Sequence, residues 1–348
     1  MLIVDGNNMG CRSCFANAEL KNNLGIPTGL HYGFFNSIIK LKKNFKDSRI
    51  LVVWDGKSKR RMEVSQKAVN DKIIPELYKA NRRKDPRPQP LIDFEQQSPF
   101  LKKALEQAGI PQIRMAEYEA DDLVASYAQK LSTESEVIIV SSDNDFYQLL
   151  TDKISTFDGM TDKTVTKASW EKENGVTIDK YLEICALTGD SSDNIFGVPS
   201  WGEVTALETI KEFGTCKNLL EKKNAQYGCL KNSSPDIKDE IVFKSLLEIK
   251  NKKDIPKYKG AWLGMPFSGV ALDIENKKIK TDLSKKDLML LMFQDRIPIS
   301  QSLKTIDIVV NIPKIPAIPF NRKRILEYFA YYDIRSISES DIDVLEKQ

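Results

Sequence analysis

Nine acidic residues in this chain fall at five places where an apolar run or a short turn hands over to a helical pattern. They are Asp5, then Asp55, then Glu119 with Asp121 and Asp122, then Asp143 with Asp145, and last Asp190 with Asp193. Acids in a helix's first turn are ordinarily caps or partners of the macrodipole, and the clusters at 119–122 and 143–145 each read either way in isolation. Asp5 and Asp55 are harder to dismiss, because a charge that ends an apolar buried strand is costly without a partner. Nine carboxylates in one pocket would drive one another's pKa values up unless cations were present. Oxygen donors without imidazole select a hard divalent ion, magnesium or manganese. The chemistry such a set supports is phosphoryl transfer with metal-bound water as the nucleophile.

The residues ahead of these acids read as buried strands: 2–4, 50–54 and 137–140. In an open parallel sheet the strand C-termini share one edge, and ligands bind there. Residues 1 to about 160 alternate such strands with helical patterns, which is the signature of an α/β doubly wound sheet. Val124, Tyr127, Ala128 and Leu131 keep helical spacing, so Glu119, Asp121 and Asp122 occupy that helix's first turn. From 178 to 250 the pattern is all helical, with two helices flanking the turn Gly197-Val198-Pro199-Ser200-Trp201-Gly202 and an amphipathic stretch at 243–249. Beyond 252 come Lys-rich loops, a strand at 270–274, a helix around 287–293, an extended proline-rich linker at 312–319 and a helix from Arg322 to about Tyr331. The expected division is a metal-binding core at 1–165, a helical region at 166–250 and a C-terminal extension at 251–348.

Charge is concentrated in one insertion within that core, residues 57–90. Between Lys57 and Arg87 there are 11 Lys and Arg against 4 Asp and Glu, a local charge of +7 in a chain whose total is +3. Five cysteines give no even framework of disulfides, and the lone Cys11-x-x-Cys14 pair reads as packing. With His31 as the only histidine, a zinc site lacks ligands and a histidine base is disfavoured. No run is long and apolar enough to span a membrane, and Asp5 interrupts any signal peptide, so a cytoplasmic protein with reduced thiols is expected.

Four segments, 4–7 (VDGN), 118–122 (YEADD), 142–145 (SDND) and 188–195 (TGDSSDNI), closely resemble the 5′ nuclease (flap endonuclease) family. That family includes free-standing phage and bacterial enzymes and the N-terminal nuclease domain of bacterial DNA polymerase I. The resemblance runs from Met1 to about Lys250, with a weaker echo at 324–337. It implies a PIN-like fold with a mostly parallel sheet, a helical arch made by the insertion, and a helix-hairpin-helix region. It also implies magnesium-dependent hydrolysis of DNA or RNA at 5′ flaps, nicks and RNA primers in replication and repair, leaving a 5′ phosphate.

Carried over residue by residue, the resemblance puts Asp5, Asp55, Glu119, Asp121 and Asp143 around a first metal. It puts Asp122, Asp145, Asp190 and Asp193 around a second, about 4 Å away. Lys79 and Arg82, at the base of the arch, would offset charge on the reacting phosphate, and Tyr78 would stack on an unpaired base. Arg12 matches a basic position near the cleaved phosphate. Arg83, Lys84 and the run 57–61 supply general phosphate attraction, while the aromatics of 31–35 read as core.

Gly197, Val198 and Gly202 resemble a hairpin that approaches duplex DNA through a potassium ion. Phe196, Ser200, Trp201 and Val204 depart from the common pattern there. The implied partners are DNA with a 5′ flap, nick or RNA primer, and a sliding clamp or single-strand binding protein for the C-terminal extension. The protein would act as a monomer away from membranes. A DNA-junction binding protein without catalysis would be expected to lose some of the acids, and all nine are present. A PIN-type ribonuclease leaves the basic insertion and the hairpin unexplained.

Overall fold

The computed structural model describes residues 1–83, 86–227, 270–273, 278–281, 284–309 and 311–347. The expectations placed on Lys84, on 243–249 and on the end of the strand at 274 lie outside these residues. In chain order the elements begin with β1 (Leu2–Asp5), α1 (Gly6–Ala16), α2 (Gly29–Asn44), β2 (Ile50–Trp54) and α3 (Lys59–Asn70). Next come α4 (Gln89–Gln107), β3 (Gln112–Arg114), α5 (Ala120–Leu131), β4 (Val137–Val140), β5 (Ile154–Asp158), β6 (Lys163–Val165) and α6 (Lys167–Asn174). Then follow α7 (Tyr181–Thr188), β7 (Gly189–Asp190), β8 (Ile195–Phe196), α8 (Glu203–Phe213) and α9 (Cys216–Tyr227). The chain divides into two compact units. The first takes residues 1–59, 83–178 and 306–348, and the second takes 60–82 and 179–305.

The first unit is built on one sheet of order β3-β2-β1-β4-β5-β6, parallel except for β6. Its central strands are continuous apolar runs because helices cover both faces. Side-chain alternation assigns Leu2, Val4, Val52, Trp54 and Val140 to one core with residues of α1, α2 and α4. Ile3, Leu51, Val53 and Ile139 go to the opposite core against α5. Strand order reverses between β1 and β4, so the connections leaving those strands diverge to opposite faces and open a crevice at their C-terminal ends. Asp5 closes β1 at that crevice, and the turn carrying Asp143 follows β4. Gly6 is required there, since a Cβ would stand 2.7 Å from the Trp54 ring.

The C-terminal segment completes this unit. Ile325, Phe329, Tyr332, Ile342 and Leu345 join the core on the α2 side. His31 is fully buried, with its ring 3.7 Å from that of Tyr332 and hydrogen bonds to Tyr328 and Gln97. The core reading of Phe34 and Phe35 holds, as both are fully buried. Cys14 is buried as well, and burial pushes its thiol up to about 12. The proline-rich segment is irregular as expected, but it is anchored: Ile312 and Ile315 pack on the α5 core and the Tyr127 hydroxyl donates to Pro313 O at 2.6 Å.

The second unit corrects the all-helical expectation for its first part. Between α7 and α8 the chain makes a two-residue-per-strand hairpin, with Gly189 paired to Phe196 and Asp190 to Ile195. Helices Lys285–Met292 and Arg296–Lys304 belong to this unit, as does nearly all of α3. No helix among the described residues is long and apolar enough to cross a membrane.

Candidate active site

In the first unit the acids gather because each strand ends where its neighbour does. Asp5 registers with Val53, and Asp55 stands two residues further on, just past the end of β2. Asn7 and Asn8, at the start of α1, tie the neighbouring connections to this point. The Asn7 Oδ1 accepts from the Asp55 N–H at 3.1 Å, and the Asn8 Oδ1 accepts from the Ser142 hydroxyl at 3.1 Å. The Asp55 carboxylate accepts the Ala120 N–H at 2.7 Å, which brings the first turn of α5, with Glu119 and Asp121, to the end of β2. Asp143 caps the 3-10 turn Asn144–Leu149 by accepting from the Asp145 N–H at 2.9 Å.

Asp5 shows what this crowding does. It is 6% exposed, and its carboxylate accepts from the Asn8 N–H at 2.9 Å and the Ser141 hydroxyl at 3.3 Å. Burial first, then the like charge of Asp55, push its pKa up to about 7, with Asp143 adding to the effect and the Asn8 hydrogen bond opposing it. Among the described residues no three acids close into a ready-made metal cage. Magnesium needs none: it keeps several waters and takes only one or two carboxylates. A buried carboxylate that resists ionising beside two others is a donor set that fits a hard divalent cation.

Asp122 leaves the metal-binding set. It is fully buried, one carboxylate oxygen accepts from the Glu119 N–H at 3.2 Å and the other from the Asp307 N–H at 3.0 Å. It is the N3 acid of a capping box on α5 and the anchor for residues 307–309, whose Val309 N–H also reaches the Ser126 hydroxyl. A carboxylate committed to two backbone donors inside a core is structural.

In the second unit, Asp190 and Asp193 are met by cations of the protein. Asp190 accepts from Lys304 at 2.7 Å and from the Ser192 N–H and hydroxyl at 2.8 and 2.6 Å. Burial alone would raise its pKa, but the Lys304 and Ser192 hydrogen bonds outweigh that and hold it at about 2. Asp193 binds Arg82, and its other oxygen faces the Tyr78 hydroxyl at 3.2 Å and Lys79 at 3.7 Å. Lys79 is held in place by its own N–H to Asp193 O at 2.8 Å and adopts φ +56°.

A family model described as "5'-3' exonuclease, N-terminal resolvase-like domain" matches residues 1–175, and one described as "5'-3' exonuclease, C-terminal SAM fold" matches 176–259. The chain belongs to the 5′-3′ exonuclease family. A 5′-3′ exonuclease of Aquifex aeolicus is 34% identical over 222 residues, covering 64% of this chain and 72% of that protein. DNA polymerase I of Bacillus subtilis is 32% identical over 249 residues, 70% of this chain but 27% of the polymerase. The fold is shared with the phage T5 D15 protein co-crystallized with metal ions, at TM-score 0.55 and 19% identity, over 99% of this chain and 96% of the other. The expected α/β fold with a mostly parallel sheet is therefore the family's own.

The expected nucleic-acid residues of this family member fare unevenly. Arg12 is half-buried and pairs with Asp158 at 2.9 Å, beside a cavity of about 150 Å³ that Asn8 and Ser141 also line. Tyr78 is 5% exposed and packs on Ile195 and Leu303, so its ring is not available to stack on a base. Arg60 and Arg61 do not serve as loose phosphate attractors: Arg60 donates to Ser302 O and Thr305 O, both at 2.7 Å, and Arg61 to Leu303 O at 3.1 Å. Arg83 ends the 3-10 turn Ala80–Arg83.

At the hairpin, Val198 is buried and its N–H is spent on Leu187 O at 2.8 Å. Gly197 is a glycine because a Cβ would stand 2.4 Å from the Gly189 backbone, which is a packing reason. Only Gly202, at the N-terminus of α8, has open space around it. These contacts give no support to a potassium ion there. Asn7, Asn8 and Ser141 were the positioning residues that motif reading passed over. The doubled asparagine directly after a strand-ending Asp was the available signal.

Proposed function

We propose that the protein is a structure-specific, divalent-metal-dependent 5′ nuclease that hydrolyses phosphodiester bonds at 5′ flaps, nicks and RNA primers and leaves a 5′ phosphate. The observation that carries this reading is geometric: buried Asp5 ends β1 at the switch point of the sheet, Asp55 follows β2 and accepts the Ala120 N–H from the helix turn bearing Glu119 and Asp121, and the turn of Asp143 follows β4. Asp5, Asp55, Glu119, Asp121, Asp143 and Asp145 are the carboxylates that would hold magnesium or manganese, with enough charge among them for two ions. A bound ion there supplies an activated water and stabilises the departing 3′ oxygen. Asn8 and Ser141 orient Asp5, and Asn7 orients the Asp55 backbone. Lys79 and Arg82, which pair with Asp193 in the second unit, would supply positive charge to the reacting phosphate as the family resemblance implies.

The deciding experiment uses labelled flap, nicked and single-stranded substrates of DNA and RNA, with magnesium and with chelator. Magnesium-dependent cutting at the junction of flap substrates is the expected result. Equal cutting of unstructured single-stranded RNA would replace this reading with a PIN-type ribonuclease, and tight junction binding without cutting would make the chain a binding protein.

A further inference from the structure

The family models end at residue 259, and a side chain from beyond that point stands on the second acidic group. Lys304 is the last residue of helix Arg296–Lys304, and only 7% of its side chain is exposed. Its ammonium donates to one oxygen of Asp190 at 2.7 Å, while Ser192 donates twice to the other. Asp193 is occupied in the same way by Arg82, Lys79 and Tyr78. All four carboxylate oxygens of the pair are therefore taken. Lys304 holds one member of the pair, and Arg82 and Lys79 hold the other. A divalent ion entering this set would have to displace an ammonium from Asp190 and a guanidinium from Asp193.

Nor is Lys304 free to swing away. The carbonyls around it are held by arginines of α3, with Arg60 on Ser302 and Thr305 and Arg61 on Leu303. Cations at a helix C-terminus suit the macrodipole, so the whole last turn is fixed before Asp190 is considered. Ser300 adds a hydrogen bond to Cys185 O in α7, the helix that leads into the hairpin bearing Asp190. The ordering cost that weakens most lysine pairs is thus already met by the helix.

We infer that Lys304 is a built-in counter-cation for Asp190, which closes the Asp190–Asp193 pair to divalent metal. The inference rests on the metal-dependent nuclease reading and confines the metal ions to the carboxylates of the first unit. It gives the segment after 284 a part in setting metal stoichiometry, acting through Asp190 as a positioning residue.

Mn2+ binding to the full chain without nucleic acid, counted by electron paramagnetic resonance and calorimetry, tests it. Asp190→Asn should leave the number of bound ions unchanged, whereas Asp143→Asn should lower it. Lys304→Met should gain one ion, lost again in Lys304→Met with Asp190→Asn, while Lys304→Arg should keep the wild-type count. Loss of one ion in Asp190→Asn overturns the inference, and so does an unchanged count in Lys304→Met shown to be folded by its melting curve. If Lys304→Met does not fold, the Asp190→Asn count decides alone. A wild-type protein that binds no Mn2+ overturns both this inference and the nuclease reading, whereas a fall in Asp190→Asn alone overturns only this one.

Discussion

Asp5 and Asp190 are the same side chain at the end or edge of a strand, yet one is pushed up to about 7 and the other down to about 2. Both are partly or wholly removed from water. The difference lies in their company: Asp5 has Asn8 and Ser141 as neutral donors and Asp55 and Asp143 as like charges, whereas Asp190 has the ammonium of Lys304. Motif reading makes both of them metal ligands, Asp5 of a first ion and Asp190 of a second. Physical surroundings divide them: Asp5 lies among neutral donors and like charges, and Asp190 lies against an ammonium.

The largest expected effect comes from removing a carboxylate at the strand ends of the first unit. Asp143→Asn and Asp5→Asn should each lower turnover by roughly 10³-fold or more, about 4 kcal/mol in the barrier, while flap affinity in calcium stays near wild type. Near wild-type cleavage by either would dissolve the distinction. Asp5→Asn carries a second signature: in chelator at pH 8 it should melt above the wild type, because its folded-state pKa lies above the unfolded value of 3.8 and ionisation then costs stability.

Next in size is Lys79→Ala, expected to lower kcat by ~10²-fold with little change in Kd, since its charge matters most as the phosphate reacts. A pure affinity loss would reduce Lys79 to a phosphate contact.

In the set that carries its own cations, Lys304→Ala should cost about 2 kcal/mol in a denaturant titration, discounted from a fully buried pair because Asp190 remains 24% exposed. Asp190→Asn should cost a similar amount, and the double variant less than the sum.

A pH effect tests a group outside both sets. Burial, against the opposing Gln97 hydrogen bond, lowers the pKa of His31 from 6.5 to about 4. The unfolded chain therefore takes up a proton first, and stability falls by up to about 3 kcal/mol as pH drops from 6.5 to 4. Stability curves in magnesium should show this slope in wild type and lose it in His31→Gln. A slope that survives belongs to other groups.

Much of the first unit was legible because its strands are apolar runs cut off by a single charge. Ile50–Trp54 followed by Asp55 admits few other readings, and the helical spacing after Glu119 located α5. What escaped depends on distant partners. Asp122 is identical in type to Asp121, and one of the backbone donors that hold it, the Asp307 N–H, comes from 185 residues on. Tyr78 is buried by Ile195 and Leu303, neither of which is near it in the chain. The β7–β8 hairpin has too few residues for any periodicity to register. Lys304 stands among many lysines, and nothing local distinguishes the one that meets an aspartate.

The order in which the chain supplies its parts has a consequence for synthesis. Each unit is assembled from separated stretches, and the first is finished only by residues after 306. Ile325, Phe329, Tyr332 and Leu345 cover the same core as Leu2, Phe34 and Trp54, at the far end of the message. A ribosome that has made Asp5, Asp55 and Asp143 has therefore not yet made a closed hydrophobic interior for the unit that holds them. Nascent chains must wait, with the outer side of α2 and α4 uncovered, until the last helices emerge. Chaperone demand should thus be greatest in that interval.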